Sequence, residues 1–347
     1  MFRIALVAVA AASSVLAQAD GPVPTLNPDP TDTNNLRLIG KAFPFDAIPF
    51  KADTTNGVRG PQSGFNLCNS TTQGQQSLCQ TLVVNSLEDF CIYAPPTFKK
   101  VDDAEEEVVA WCTQPTHGAR LIPAGTITGA QFIKTPSYIE VTGLIKQSLI
   151  NIPDGTTGGE LDSGGQDLRG NPIGGLAYSN NMPHSSGQMT QSRMWHEFIG
   201  SNTFCLKLCD NEAPNASGLC RHRLDTIGCL TAVPASYQDG VFLSCEGDDQ
   251  APVAVGVTDI PKSSNCQTFT SSALWTNLPS GTSTSSTSTS TPTGHSSLPN
   301  GSGSPSGSNT ASGSTPSTTD GTGAASTVRA SSFFAAVAGV VGAAVFA

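Results

Sequence analysis

The sequence predicts a β-dominated, disulfide-stapled single domain of irregular, sandwich-like type, followed by a disordered Ser/Thr-rich stalk. Three observations carry that expectation. All ten cysteines lie between Cys68 and Cys266. Short β-prone runs broken by Gly and Pro fill the same stretch. Beyond it, Ser and Thr occupy 24 of the 40 positions from 281 to 320, where there is no cysteine and no aromatic residue.

In chain order, residues 1–19 read as a signal peptide. Arg3 supplies the positive start, Ile4 to Leu16 the apolar run, and Ala17 and Ala19 the small-residue exit. The run is shorter than the roughly 20 apolar residues of a membrane span. Residues 20–65 are rich in Pro, Asn and Gly and predict an extended lead-in. Residues 66–275 form the disulfide-rich globular domain. Within it, Ala119 to Val141 is a series of short strands. Gly143 to Ile152 alternates as a half-buried strand does. Ser192 to Phe198 and Ser217 to Leu230 are the helical candidates.

Residues 276–323 predict an O-glycosylated stalk. Such a composition buries too little apolar surface to offset the entropy of ordering. Residues 324–347 predict a GPI-attachment propeptide: small residues, then a polar spacer, then the apolar tail Phe333 to Ala347 with no charge after it. Gly323 is the preferred attachment site, with Asp320 and Gly321 as alternatives. Three N-x-Ser/Thr sequons, at Asn69, Asn215 and Asn300, lie in loop-like sequence as glycan acceptors require.

An oxidising compartment turns an even cysteine count into disulfides. Local pairing favours Cys68 with Cys79 and Cys91 with Cys112. Cys205, Cys209, Cys220, Cys229, Cys245 and Cys266 are expected to pair among themselves. No C-x-x-C pair supports zinc. Arg3 and Arg329 fall in the terminal signals, so 15 basic residues face 27 acidic ones in the mature chain, a net charge near −12. That balance excludes a nucleic-acid partner.

Candidate chemistry centres on Asp154, Glu160, Asp162 and Asp167 in DGTTGGELDSGGQDLRG. Three uses remain open for them. They form turns that bond their own backbone, they hold a cation such as calcium, or two of them cleave a glycan as an acid–base pair. His196-Glu197 lacks the second histidine of a zinc protease helix. His117, His184 and His222 are isolated, and no nucleophile elbow or phosphate-cradling loop is present. Trp111, Trp195 and Tyr178 are candidates for sugar stacking or, more simply, core aromatics. The acidic run Asp102 to Glu107 reads as a solvated face. No catalytic, cofactor-binding or metal-ligating residue is assigned, and no cofactor is expected.

Four segments carry a family resemblance: DFCIYAPP (Asp89 to Pro96), EEEVVAWCTQPTHGARLIPAGTITGAQFIKTP (Glu105 to Pro136), GGELDSGGQDLRGNPIGGLAYSN (Gly158 to Asn180) and MWHEFIGSNTFCLKLCD (Met194 to Asp210). Across about residues 66–270 the chain resembles the basidiomycete macrophage-activating glycoproteins, a group that includes the cryptococcal immunoreactive mannoproteins. The resemblance implies a mannosylated fungal surface antigen and brings no catalytic residues. The expected function is therefore a GPI-anchored cell-surface mannoprotein, structural or antigenic. Its expected partners are cell-wall glucan or the plasma membrane through the anchor, and host lectin-type receptors through mannans. The alternatives are a wall-polysaccharide-remodelling enzyme centred on Glu160, Asp162 or Asp167, and a carbohydrate-binding adhesin.

Overall fold

The β-prone runs pair into three sheets in the computed structural model, which describes residues 37–220 and 224–281. The segments read as signal peptide, as stalk beyond 281 and as anchor signal, with Asn300, Asp320, Gly321 and Gly323, lie outside the described residues. Among these residues, strands run β1 (Thr81–Val83), β2 (Cys91–Ala94), β3 (Val109–Cys112), β4 (Arg120–Leu121), β5 (Ile127–Lys134), β6 (Tyr138–Ile145), β7 (Gly159–Asp162), β8 (Leu176–Ser179), β9 (Thr190–Ser192), β10 (Met194–Gly200), β11 (Thr203–Cys209), β12 (Phe242–Gly247) and β13 (Ser263–Phe269). The two helices, α1 (Ala216–Leu219) and α2 (Cys229–Ala232), are single turns.

The main sheet has the order β13-β12-β5-β6-β11-β10-β7. It grows from two hairpins with explicit turn chemistry. Between β5 and β6, the Thr135 hydroxyl accepts the backbone N–H groups of Ser137 and Tyr138. Between β10 and β11, Ser201 and Asn202 both take left-handed backbone conformations (φ 50° and 58°), the pattern of a tight two-residue hairpin. Two smaller sheets, β1-β8-β9 and β2-β3-β4, complete the fold.

Because side chains alternate across a strand, the main sheet has two faces. One carries Leu161, Leu206, Val141 and Phe132 in register, with Trp195, Leu208 and Ile139 beside them. This face packs on the small sheets: Phe90 stacks on Phe204 at 6.0 Å, and Tyr93 meets Trp195 at 5.4 Å. The result is the β-dominated, sandwich-like domain that the sequence predicts. Glu197 is buried in this apolar layer, where its carboxyl accepts the Tyr93 N–H at 2.9 Å. Burial pushes that carboxyl well above the usual range.

The described part of the lead-in, residues 37–65, is irregular chain that packs on the domain. Leu38 and Ala52 bury against Leu176 and Tyr178. Asp53 is 1% exposed and pairs with Arg169 at 3.0 Å.

Three local expectations need correction. Ser192 to Phe198 is not helical; most of it is β10, which is buried along its whole length because neighbours pair on both sides. Ser217 to Leu230 does not hold one amphipathic helix. Gly228 and two disulfides break it, and among its described residues the helical turns are α1 and α2. The strand expected through Ile152 ends at Ile145 and gives way to a 3-10 turn over Gln147–Ile150.

All ten cysteines pair: Cys68–Cys79, Cys91–Cys112, Cys205–Cys229, Cys209–Cys220 and Cys245–Cys266. Both local pairings hold, and the last six cysteines pair among themselves. Replacing Cys205 and Cys229 together by alanine is expected to lower stability by about 2–4 kcal/mol. The urea midpoint in non-reducing buffer measures it.

Candidate functional site

The second face of the main sheet is polar. Asp162 on β7, His196 on β10, Lys207 on β11 and Glu140 on β6 stand directly opposite one another across four adjacent strands. All four are at most 4% exposed. Described chain from 210–220 and 224–237, with Gln250, packs on this face and is pinned through Cys209–Cys220 and Cys205–Cys229.

Lys207 is held from several sides. Its ammonium group donates to the Ala232 carbonyl at 3.3 Å and to the Gln250 side chain. It lies 3.4 Å from the Glu140 carboxylate and 4.4 Å from the centre of the Tyr138 ring. Burial pushes Glu140 up and pulls Lys207 down to about 8, while their mutual attraction opposes both shifts. Removing one partner of such a pair leaves the other buried and uncompensated. Lys207→Met is therefore expected to cost about 3–5 kcal/mol, and adding Glu140→Leu to recover most of it. Denaturant unfolding of the single and double variants reads both values.

Beside this row lies a second. Glu160 on β7 stands opposite Phe198 on β10, which in turn opposes Cys205 on β11. Glu160 is 3% exposed, and neither of its oxygens meets a hydrogen-bond donor. The group facing it is the carboxyl of Asp225, from the covering segment. Two carboxyl groups meet in contact only when a proton lies between them. Burial, with Asp162, Asp225 and Glu105 nearby, pushes Glu160 up to about 10. Glu160 therefore keeps its proton in the folded chain.

Asp225 also lines a pocket of about 490 Å3. Its floor is the β10–β11 hairpin end and the start of β7. Its walls are residues 225–230 and Tyr237. The floor is built from glycine for steric reasons: a Cβ on Gly158 would collide with the Ile199 carbonyl, and one on Gly200 with Gly158.

The residues singled out in sequence scatter around this site. Glu160 and Asp162 share one face of β7. The Asp162 carboxyl accepts the N–H groups of Gly164 and Gly165, the turn use expected of it. Asp167 is held by Arg59 at 2.5 Å and by Arg169 at 3.3 Å. Burial works against its ionisation, but the two guanidinium groups prevail and hold its carboxyl below the usual range. Asp154 sits on an exposed turn. Among the described residues, no three His, Cys, Asp or Glu side chains are placed to share a metal ion.

Trp111, Trp195 and Tyr178 are core residues, at most 5% exposed. Asn69 and Asn215 are exposed, and the Asn69 side-chain oxygen accepts the Thr71 hydroxyl of its own sequon at 2.6 Å. The acidic run splits: Asp102 and Asp103 are solvated, whereas Glu105 accepts side-chain N–H groups from Asn171 and Gln166. His117 and His184 each face an aspartate, Asp89 and Asp210. Asp225 escaped sequence reasoning because it lies 65 positions from Glu160, outside any motif.

The shifted acid has a testable consequence. Glu160 ordinarily binds its proton near pH 4.5 but holds it to about 10 when folded, so between those values the native state carries more protons. Its contribution is complete below the ordinary value and is lost as pH rises toward 10. The urea midpoint is expected to fall between about pH 5 and pH 8, and Glu160→Gln to narrow that fall. An undiminished fall in the variant removes Glu160 as its source.

No family model and no solved structure matches this chain. Two curated relatives do. Over 264 residues, 71% of this chain, it is 39% identical to the appressorium protein ROW1 of Mycosarcoma maydis. The match covers 62% of ROW1, so the chain spans less than two thirds of that relative's length. Over 253 residues, 67% of this chain, it is 35% identical to the appressorium protein ROW2 of the same organism, covering 85% of it. At that identity and coverage, the chain belongs to the family of the appressorium proteins ROW1 and ROW2.

Proposed function

We propose that the chain is a glycosylated protein of the fungal cell surface, carried on a GPI anchor and serving as a structural or antigenic component of the wall. The observation that carries this reading is the pairing of all ten cysteines in one β-rich domain. Five disulfides are the mark of a chain matured in an oxidising compartment. The relatives' name supports the same setting, since an appressorium is a fungal surface structure. The exposed sequons at Asn69 and Asn215 are accessible to glycan transfer. The resemblance to the immunoreactive mannoproteins supports mannosylation. In this reading the anchor links the protein to the plasma membrane or wall glucan, and mannans on the stalk meet host lectin-type receptors.

The enzymatic alternative has less support. Asp167 is tied to two arginines and Asp154 lies on a solvated turn, so neither stands opposite Glu160 as a second carboxylate across a cleft.

Two measurements test the proposal. Phosphatidylinositol-specific phospholipase is expected to release the intact chain from cells. Deleting residues 324–347 is expected to move the chain into the medium. Retention of the truncated chain on cells would overturn anchoring, and an unmodified mass after secretion would overturn glycosylation.

A further inference from the structure

We infer that the pocket between the start of β7, the β10–β11 hairpin and residues 225–230 binds a neutral hexose unit, with Asp225 as the acceptor for its hydroxyl groups. This goes beyond surface display, which does not depend on it.

Size is the first argument. A volume of about 490 Å3 falls within the roughly 300–1,000 Å3 of small-molecule sites. The lining is the second. Hydroxyl groups come from Thr157, Ser201, Thr203 and Thr226, and apolar surface from Phe198 and Tyr237. A pyranose presents the same mixture, a ring of hydroxyls and an apolar face. Among the described lining residues, the acidic group is Asp225, and no cationic side chain accompanies it. That charge favours a hydroxyl-bearing ligand over an anionic one.

The third argument is the buried acid behind Asp225. An exposed aspartate alone is a mobile acceptor. Here Glu160, almost wholly buried and meeting no hydrogen-bond donor, lies with its carboxyl beside that of Asp225. The glycine floor adds to this. Gly158 and Gly200 let the two backbone segments of the floor close on each other, since a Cβ on either would strike the facing chain. Leu230, 66% exposed, stands at the rim.

The test uses the full secreted chain, trimmed of its own glycans so that they do not occupy the pocket. The probes are a glucose, a mannose and an N-acetylglucosamine disaccharide, with glucosamine and galacturonate disaccharides as charged controls. Titration calorimetry and saturation-transfer NMR read binding. At least one neutral disaccharide is expected to bind. Asp225→Asn should weaken it by about tenfold or more, the scale of a hydrogen bond to a charged acceptor. Glu160→Gln, which keeps an N–H donor toward Asp225, should bind close to native affinity, whereas Glu160→Ala should behave like Asp225→Asn. Leu230→Arg changes an exposed rim residue and should block the pocket without unfolding the domain. The inference is overturned if no neutral disaccharide binds the native chain, if binding survives both Asp225→Asn and Leu230→Arg, or if only a charged control binds.

Discussion

The segment Cys205-Leu206-Lys207-Leu208-Cys209 on β11 is the point on which the polar half of the structure depends. Alternation puts Leu206 and Leu208 in the apolar core and turns Cys205, Lys207 and Cys209 to the other face. Lys207 is fully buried there. Moving an ammonium group out of water costs several kcal/mol unless its surroundings answer every proton. The answer comes from Glu140 one strand away, and from Ala232 and Gln250 in the covering segment. The cover is therefore part of the solvation of Lys207. Its two disulfides leave β11 from the positions immediately flanking that lysine on the same face.

This explains how chain with almost no regular structure stays closed over a polar sheet. Two single-turn helices contribute little by themselves, because isolated turns do not hold. Covalent bonds to β11 restrict what the cover can do on opening. The Cys205–Cys229 bond also builds the pocket, because Cys229 lies in the wall that runs from Asp225 to Leu230. Cation burial and the pocket thus share one device, and loosening Cys205–Cys229 should affect both.

Much of the fold could be read from the sequence, and what was missed has a common cause. Cysteine position carried two pairings outright, since Cys68–Cys79 and Cys91–Cys112 join neighbours along the chain. Period and turn residues carried β5 and β6. The misreading of β10 has a physical reason. MWHEFIG is buried on both faces, so a histidine and a glutamate sit where alternation would have placed apolar residues on one side only. Its polar members have partners that no local pattern shows: Glu197 faces Tyr93, 104 positions away. Asp167 looked available for chemistry because Arg59, 108 positions earlier, is invisible to any window around it. Glu160 was one of four acidic residues singled out. Its partner Asp225 could not be, because contact between them exists only once the cover has folded.

The buried groups also set the direction in which the domain responds to its surroundings. Glu140, Glu160 and Glu197 are all shifted upward by burial, so each holds its proton longer in the native state. Lys207 shifts the other way, to about 8 from an ordinary 10.5. Its influence is felt between those two values, and below about pH 8 both states carry the lysine proton. In mildly acidic to neutral surroundings the carboxyls therefore decide, and they favour the folded form as pH falls. This leaves the polar face most secure in acid. The ionised groups that hold the lead-in act in the opposite sense, because Asp53 and Asp167 are shifted downward by their arginines and lose that support only as pH falls through the ordinary carboxyl range. The fold is thus bounded on the acid side by the ion pairs that hold the lead-in and on the alkaline side by its buried acids.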